Sequence, residues 1–572
     1  MTFSYVPVMT PGRCQRQPSP GLCGIGILLS LLLPIRAFAD ASADGGVQKI
    51  AITPITVLAP AALISPGATI GAINIVNDNI FDLDDPREDK ALYRFANGVH
   101  ATTRPSVIQQ QLLFEPGDQF SIRELEESER ILRSNRYIQD ATIEPVLTGN
   151  GVVDINVYTT DVWTLIPRVS ISRSGGENNT GVGIKEMNLL GTGMRVEALY
   201  KSDVDRDSKI ITVADHHLGD SWYSLRALYA DNSDGHAYVL DIGLPFYALD
   251  STAAHSFSFL NIEQIDSLYD RGDVVAQYRS QTNSYGVSKG WSGGLKDGWT
   301  KRYTTGLAYD EHRFTTVEDS AAAMSIMPED RTLAYPFVGI ELVQDRFEKA
   351  ENHDQINRTE DRYLGTRFGA RLGAARTSFG SDRDAWLINA GAQTGFGDSQ
   401  KSSLILASNF ATRLEDAGPQ NLTLDVSARY YRRQSDKRLF YASLSGIYGH
   451  NLDIDNQLLL GGDNGLRGYP LRYQTGNKIA LLTLEQRFFT DWYPFRLFRV
   501  GGAVFFDAGR AWGDSKVSDR DNELLKDAGF GLRIGNTRSG QGRMTHIDLA
   551  FPLDGDSSIQ DVQFLIQTKK SF

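Results

Sequence analysis

The sequence predicts a mainly β protein: a transmembrane antiparallel β-barrel of sixteen strands preceded by one small α+β domain. Three observations carry that expectation. Short segments along most of the chain alternate polar and apolar residues with period two. Glycine (54), phenylalanine (27) and tyrosine (23) are abundant, whereas methionine (7) and cysteine (2) are scarce. Past the N-terminal leader no uninterrupted apolar run is long enough for a transmembrane helix, and only helices and closed sheets satisfy every backbone group in lipid.

Residues 1–39 read as a signal peptide, with Arg13 and Arg16 ahead of an apolar core from Leu22 to Leu33 and a small-x-small site at Ala37-Phe38-Ala39. The alternative, a single N-terminal membrane anchor, asks a short apolar run to span a bilayer. Cys14 and Cys23 both lie in this leader, so a chain cut before Asp40 carries no thiol, as suits an oxidising compartment. The formal net charge is −12, and losing a leader with three arginines and no acid makes the remainder more acidic. Such a surface disfavours nucleic acid as a partner. Residues 40–69, rich in proline and alanine without period, read as a linker.

A small α+β domain is expected over residues 70–160. IGAINIV (70–76) reads as a strand, and RPSVIQQQLL (104–113) as a short helix with Pro105 in its first turn. In FSIREL, Ser121 and Glu124 form a capping box while Phe120 and Leu125 supply a hydrophobic staple, which predicts a helix from Ser121 to about Ser134. Two strands follow, 141–147 and 152–159, joined at Asn150-Gly151, with Val153, Ile155 and Val157 on one face. Phe81 to His100 reads as an insertion in this strand, helix, helix, strand, strand order.

From Trp163 to Phe572 the length allows roughly sixteen membrane crossings with their turns and loops. In NLTLDVSARYY, Leu422, Leu424, Val426, Ala428 and Tyr430 share one face and Thr423, Asp425, Ser427 and Arg429 the other. A soluble sandwich would bury the apolar face against a second sheet. A barrel is favoured by Glu485 and Arg487 on the opposite face of LLTLEQRFF, which suit a wet lumen, and by Phe488, Phe489, Trp492, Tyr493 and Phe495, which suit an interfacial girdle. Thr315 to Arg331 reads as an extracellular loop.

Two stretches resemble known families. FEPGDQFSIRELEESERILRSNRYIQDATIEP is similar to a POTRA (polypeptide-transport-associated) domain, one unit of which is visible. LLLGGDNGLRGYPLRY resembles the sixth extracellular loop of the outer-membrane protein assembly and transport family, the BamA/TamA-type bacterial surface antigen superfamily of POTRA-plus-barrel proteins. The matching core is Leu466-Arg467-Gly468-Tyr469. The resemblance implies that this loop turns inward and that Arg467 meets acids on the barrel wall. The wall residues would be Phe505, Asp507 and Gly509 of VFFDAGRAW, in F-x-D-x-G spacing, and Glu485 of LTLEQRFF. The chemistry agrees: a guanidinium fork binds carboxylate bidentately where lysine cannot, and Gly465 and Gly468 let the backbone turn and approach the wall. GIKEMNLLGTG (183–193) is similar to the family's early barrel motif, and GFGLRIG (529–535) followed by DLAFPL to its penultimate strands. Lys570 stands where the family's terminal strand carries an apolar residue.

By resemblance the chain is expected to be a non-enzymatic assembly or translocation factor of the bacterial outer membrane, with its N-terminal domain in the periplasm. Its partners would be unfolded outer-membrane or secreted β-rich proteins, outer-membrane lipids, and accessory periplasmic or lipoprotein subunits. Substrate would be taken up by strand addition, and the seam between 165–173 and 562–572 would open toward lipid. A dedicated exporter of one secreted partner and a passive channel are the alternatives. No cofactor or metal is implied. Asp215-His216-His217 with Asp220-Ser221 lack a third ligand or a nucleophile elbow, and Asp78, Asp82, Asp84 and Asp85 lack an EF-hand's glycine and terminal glutamate.

Overall fold

The computed structural model describes residues 67–149, 151–317, 326–518, 520–540, 544–555 and 557–569. The signal peptide, nearly all of the linker, Asn150, Lys570 and Phe572 lie outside these residues. The first unit runs β1 (Thr69–Asp78), α1 (Ala91–Val99), α2 (Pro105–Gln109), α3 (Ile122–Ser134), β2 (Ile138–Gly149) and β3 (Val152–Asp161). β3 is central, parallel to β1 and antiparallel to β2. The parallel pair is reachable because the chain between β1 and β3 is long enough to cross over through helices.

Local chemistry accounts for these elements. The Ser121 hydroxyl accepts the Glu124 N–H at 3.5 Å at the start of α3, while Phe120 packs on the core that holds Leu125. Val153, Ile155 and Val157 point to one side of β3, where Ile108, Leu132 and Ile138 join them in a dry core. The stretch that read as an insertion folds the additional helix α1.

The rest closes into an antiparallel barrel of twenty strands, from Leu165–Ser174 to Gln563–Lys569, and not the sixteen that chain length suggested. The length estimate assumed an average span, whereas six strands fit between Leu165 and Leu244 on turns as tight as Gly175-Gly176, both at positive φ. Side chains alternate as a two-sided wall demands. Leu307, Val338, Leu444, Val504 and Phe530 point outward and are more than half exposed, an apolar belt suited to lipid. Phe488 belongs to this outer face and Phe489 to the inner one, so the predicted aromatic girdle is split by strand parity. Among the described residues no helix is long and apolar enough to cross a membrane.

The small domain sits across one end of the barrel, called the near end below. α3 lies against the turn at Leu249, whose N–H donates to Glu127 at 2.9 Å, and Arg123 pairs with Asp250. Between the strands Arg331–Gln344 and Arg367–Ala375, residues 345–366 fold inward at this end as a hairpin, Phe347–Ala350 against Glu360–Tyr363. Ile356 and Leu364 bury themselves among Ile405, Tyr431, Leu439, Phe489 and Met544 of the inner wall. Arg487 of the wall donates to the His353 carbonyl at 2.6 Å. From the other side Arg133 of α3 grips Asp361 with two bonds of 2.9 and 2.7 Å, and Lys349 pairs with Glu129. The near mouth is therefore filled by a segment held between wall and domain.

Glu360, in that hairpin and outside the spanning strands, accepts the N–H groups of His353, Asp354 and Gln355 at 3.0 to 3.1 Å. Burial, with the nearby Asp354 carboxylate, holds its pKa well above the usual carboxylate range. A raised carboxylate pKa means that the folded segment binds the proton more tightly, so its stability falls as pH rises from the ordinary carboxylate range toward neutrality. Protease protection of residues 345–366 should accordingly decline across that interval, and Glu360→Gln should flatten the decline. An unchanged profile in Glu360→Gln would rule this group out as the cause.

Candidate functional site

The chain leaves the barrel wall after Arg438–His450 and returns at Lys478–Phe489, at the end opposite the small domain. Leu458–Leu460 and Gln474–Gly476 pair as a short neck, and GGDNGLRGYPLRY between them turns into the lumen. Leu466 and Tyr469 are completely buried with Leu458, Leu460, Ile479, Leu481, Ala511 and Leu525, so the loop carries its own apolar anchor. The Tyr469 hydroxyl donates to the Lys526 carbonyl at 2.6 Å and accepts that residue's N–H at 3.1 Å. Gly465 has φ +137°, and a Cβ at Gly468 would lie 2.7 Å from the Asp527 Cβ. One glycine permits the turn and the other permits contact with the wall.

Arg467 projects from that turn onto Asp507. Its Nε lies 2.6 Å from Oδ2 and its Nη2 3.0 Å from Oδ1, a bidentate pair with both partners buried. The guanidinium carbon stands 3.4 Å from the centre of the Phe505 ring, adding a desolvated cation–π contact. The F-x-D-x-G spacing now has a geometric reason, since residues i, i+2 and i+4 of a strand share one face. Phe505 lies under the cation and Asp507 beside it. Gly509, opposite Leu481 and Leu525, leaves room for Leu460 of the neck.

Glu485 is in the same charged patch but does not meet Arg467 directly. It opposes Phe505 in the strand ladder while Asp507 opposes Thr483, which sets it one inward position closer to the near end. There it accepts Arg533 Nη2 at 3.0 Å and lies 3.9 Å from Arg487 Nη2. Asp548 links the two halves, 4.0 Å from Arg467 Nη1 and hydrogen-bonded to Arg533. The patch reads Asp507, Arg467, Asp548, Arg533, Glu485, Arg487. Sequence reasoning missed Arg533 and Asp548, although both lie in the quoted GFGLRIG and DLAFPL. The signal was a charge at an inward position between apolar outward neighbours.

The loop also touches the closure of the barrel. Among the described residues the first and last strands share one registered pair, Ile566 opposite Arg173, whereas the last strand pairs with its other neighbour from Met544–Lys569 to Ala550–Gln563. Ser174, ending the first strand, donates its hydroxyl to the Gly462 carbonyl of the loop at 2.7 Å and accepts from Gln567 of the last strand at 2.8 Å. At the near end, Asn188 of the early barrel motif donates to the Thr103 hydroxyl at 2.8 Å and accepts the Gly193 N–H at 2.6 Å, joining barrel to domain. Asp215 accepts the His217 N–H at 2.9 Å within a turn, and Asp220 accepts Gln110 of the domain at 2.8 Å. Among the described residues no group of three or more His, Cys, Asp or Glu is placed to hold a metal ion.

No curated protein matches the chain. Among solved structures it is similar to CdiB from Acinetobacter baumannii, at 13% identity over 88% of this chain and 73% of that chain with a TM-score of 0.44. It is similar to CdiB from Escherichia coli, at 13% identity over 87% and 76% with a TM-score of 0.45. A third is BamA from Haemophilus ducreyi lacking POTRA domains 1–3, at 12% identity over 88% and 84% with a TM-score of 0.38. Likenesses this distant bear no functional weight. The stretch that contains the inward loop, Glu485, the Phe505-Asp507-Gly509 wall and the last strands matches a family model directly: residues 402–569 match an Omp85 superfamily domain.

Proposed function

We propose that this barrel assembles or translocates β-rich proteins at the outer membrane by opening between its first and last strands, with the small domain, a POTRA unit, receiving substrate on the periplasmic side. One observation carries the proposal: among the described residues the closure holds a single ladder pair, and it is bridged by Ser174 to the loop that Arg467 anchors. A barrel strand normally exchanges backbone bonds along its length, so this closure is the cheapest place to part the wall. An incoming strand would satisfy the exposed backbone groups as the two edges separate, and the anchored loop would hold the first strand in place meanwhile. The edges of the three-stranded sheet, β1 and β2, offer the same kind of backbone pairing to an extended segment.

The test is Arg173→Cys with Ile566→Cys, in a chain whose Cys14 and Cys23 are replaced by serine, complementing cells depleted of the native protein. With the bond formed and verified, the outer-membrane proteome should lose its clients, and reductant should restore them. Full complementation by the oxidised form would sink the opening mechanism. Loss of one secreted protein, with barrel proteins unchanged, would identify a dedicated exporter instead of an assembly factor.

A further inference from the structure

α1 presents Leu92, Phe95 and Val99 from one face, and these side chains are 59%, 66% and 56% exposed. Positions i, i+3 and i+7 form one stripe on a helix, and Lys90 and Arg94 project from the opposite side. The helix has no free choice of position. Tyr93, on its buried side, donates its hydroxyl to the Phe495 carbonyl at 2.6 Å and stacks on Phe81 at 4.3 Å. Arg496 reaches Asp85 at 3.2 Å and Glu88 at 3.3 Å, while Trp163 and Leu497 pack on the same small core. α1 is thus fixed to the turn that joins strands Lys478–Phe489 and Phe498–Trp512 at the near rim. That turn exposes Trp492 (63%) and Phe495 (75%), and it follows directly on the strand that carries the outward apolar side chain Phe488 near its end. Leu92, Phe95, Val99, Trp492 and Phe495 are therefore exposed together, as a ledge, at the rim where the lipid-facing strands end.

We infer that this ledge rests in the headgroup region of the phospholipid leaflet at the near end, so that α1 anchors the small domain to the membrane beside the barrel. Position at the rim where the lipid-facing strands end selects lipid over a protein partner, and the character of the residues fits. Two aromatic side chains at a strand turn suit an interface, and three apolar side chains on a short amphipathic helix suit shallow insertion parallel to the surface. Near α1, Arg94 pairs with Asp89, Glu88 pairs with Arg538, and Lys90 stands 5.9 Å from the Tyr93 ring, so attachment should depend on apolar insertion more than on anionic lipid. The inference rests on the lipid-facing belt and not on opening of the seam.

The full chain, with Cys14 and Cys23 replaced by serine, is labelled with an environment-sensitive fluorophore at Phe95→Cys or Arg94→Cys. It is then reconstituted in phosphatidylethanolamine and phosphatidylglycerol vesicles carrying a shallow nitroxide lipid. The probe at position 95 should be quenched several-fold more than that at 94, with little change when phosphatidylglycerol is omitted. Equal quenching overturns the inference. So does a blue-shifted probe at 95 that lipid nitroxide leaves bright, since protein would then cover the ledge. Val99→Cys is the second reporter, and resistance of the folded barrel to SDS confirms that each variant is assembled.

Discussion

Arg467→Ala should destabilise the folded barrel by about 3–5 kcal/mol, the usual cost of leaving one partner of a buried ion pair alone. Asp507 would keep its place in the wall without the two hydrogen bonds that now neutralise it, and the Phe505 ring would lose its cation. The measurement is the denaturant midpoint of the reconstituted barrel, followed by loss of the SDS-resistant form. Arg467→Lys should recover only part of the loss, because an ammonium is a point charge and cannot make two parallel bonds to one carboxylate. Asp527 supplies the control. It stands directly opposite Asp507 in the ladder, so a second carboxylate crowds the patch around the same guanidinium. Asp507→Asn should destabilise, whereas Asp527→Asn should leave stability unchanged or raise it. Equal midpoints for Arg467→Ala and the native chain would show that the apolar anchor of Leu466 and Tyr469 holds the loop without the ion pair.

Replacing residues 346–365 by a short glycine-serine turn should convert a closed lumen into a conducting one. The hairpin takes no part in the barrel ladder, so the wall should still close, and the folded form is checked by its resistance to SDS. What disappears is the packing of Ile356 and Leu364 across the near mouth, together with Asp361, the partner that Arg133 holds from α3. Planar-bilayer recordings should show a marked rise in conductance, and cells should become sensitive to antibiotics too large for an intact outer membrane. Wild-type conductance in the deletion would mean that the domain or the inward loop alone seals the pore.

Much of the fold was legible because barrel and capping signals are local. Ser121 and Glu124 announce a helix start within four residues, and Leu424 and Val426 alternate with Asp425 and Ser427 whatever lies across the strand. The Arg467 motif was legible through its resemblance to a family loop, with which the chemistry agrees: Gly465 and Gly468 let a turn approach the wall, and a guanidinium fork suits a carboxylate. The strand number was not legible, since tight turns and extended strands such as Asp273–Lys296, at 24 residues, share no common length.

The sequence alone thus determined that polar and apolar faces alternate along the strands and where a helix begins, and resemblance pointed to an acidic partner for Arg467. The first two follow from periodicity of two and from side-chain hydrogen bonding to adjacent backbone. Only the tertiary structure decided that Asp507 is the partner and Glu485 belongs to Arg533, because register offsets residues by one inward position. It likewise decided that twenty strands close the wall and that residues 345–366 fill its mouth. Closure and plugging depend on contacts between residues far apart in the chain, and no local pattern encodes which distant surface a polar hairpin will meet.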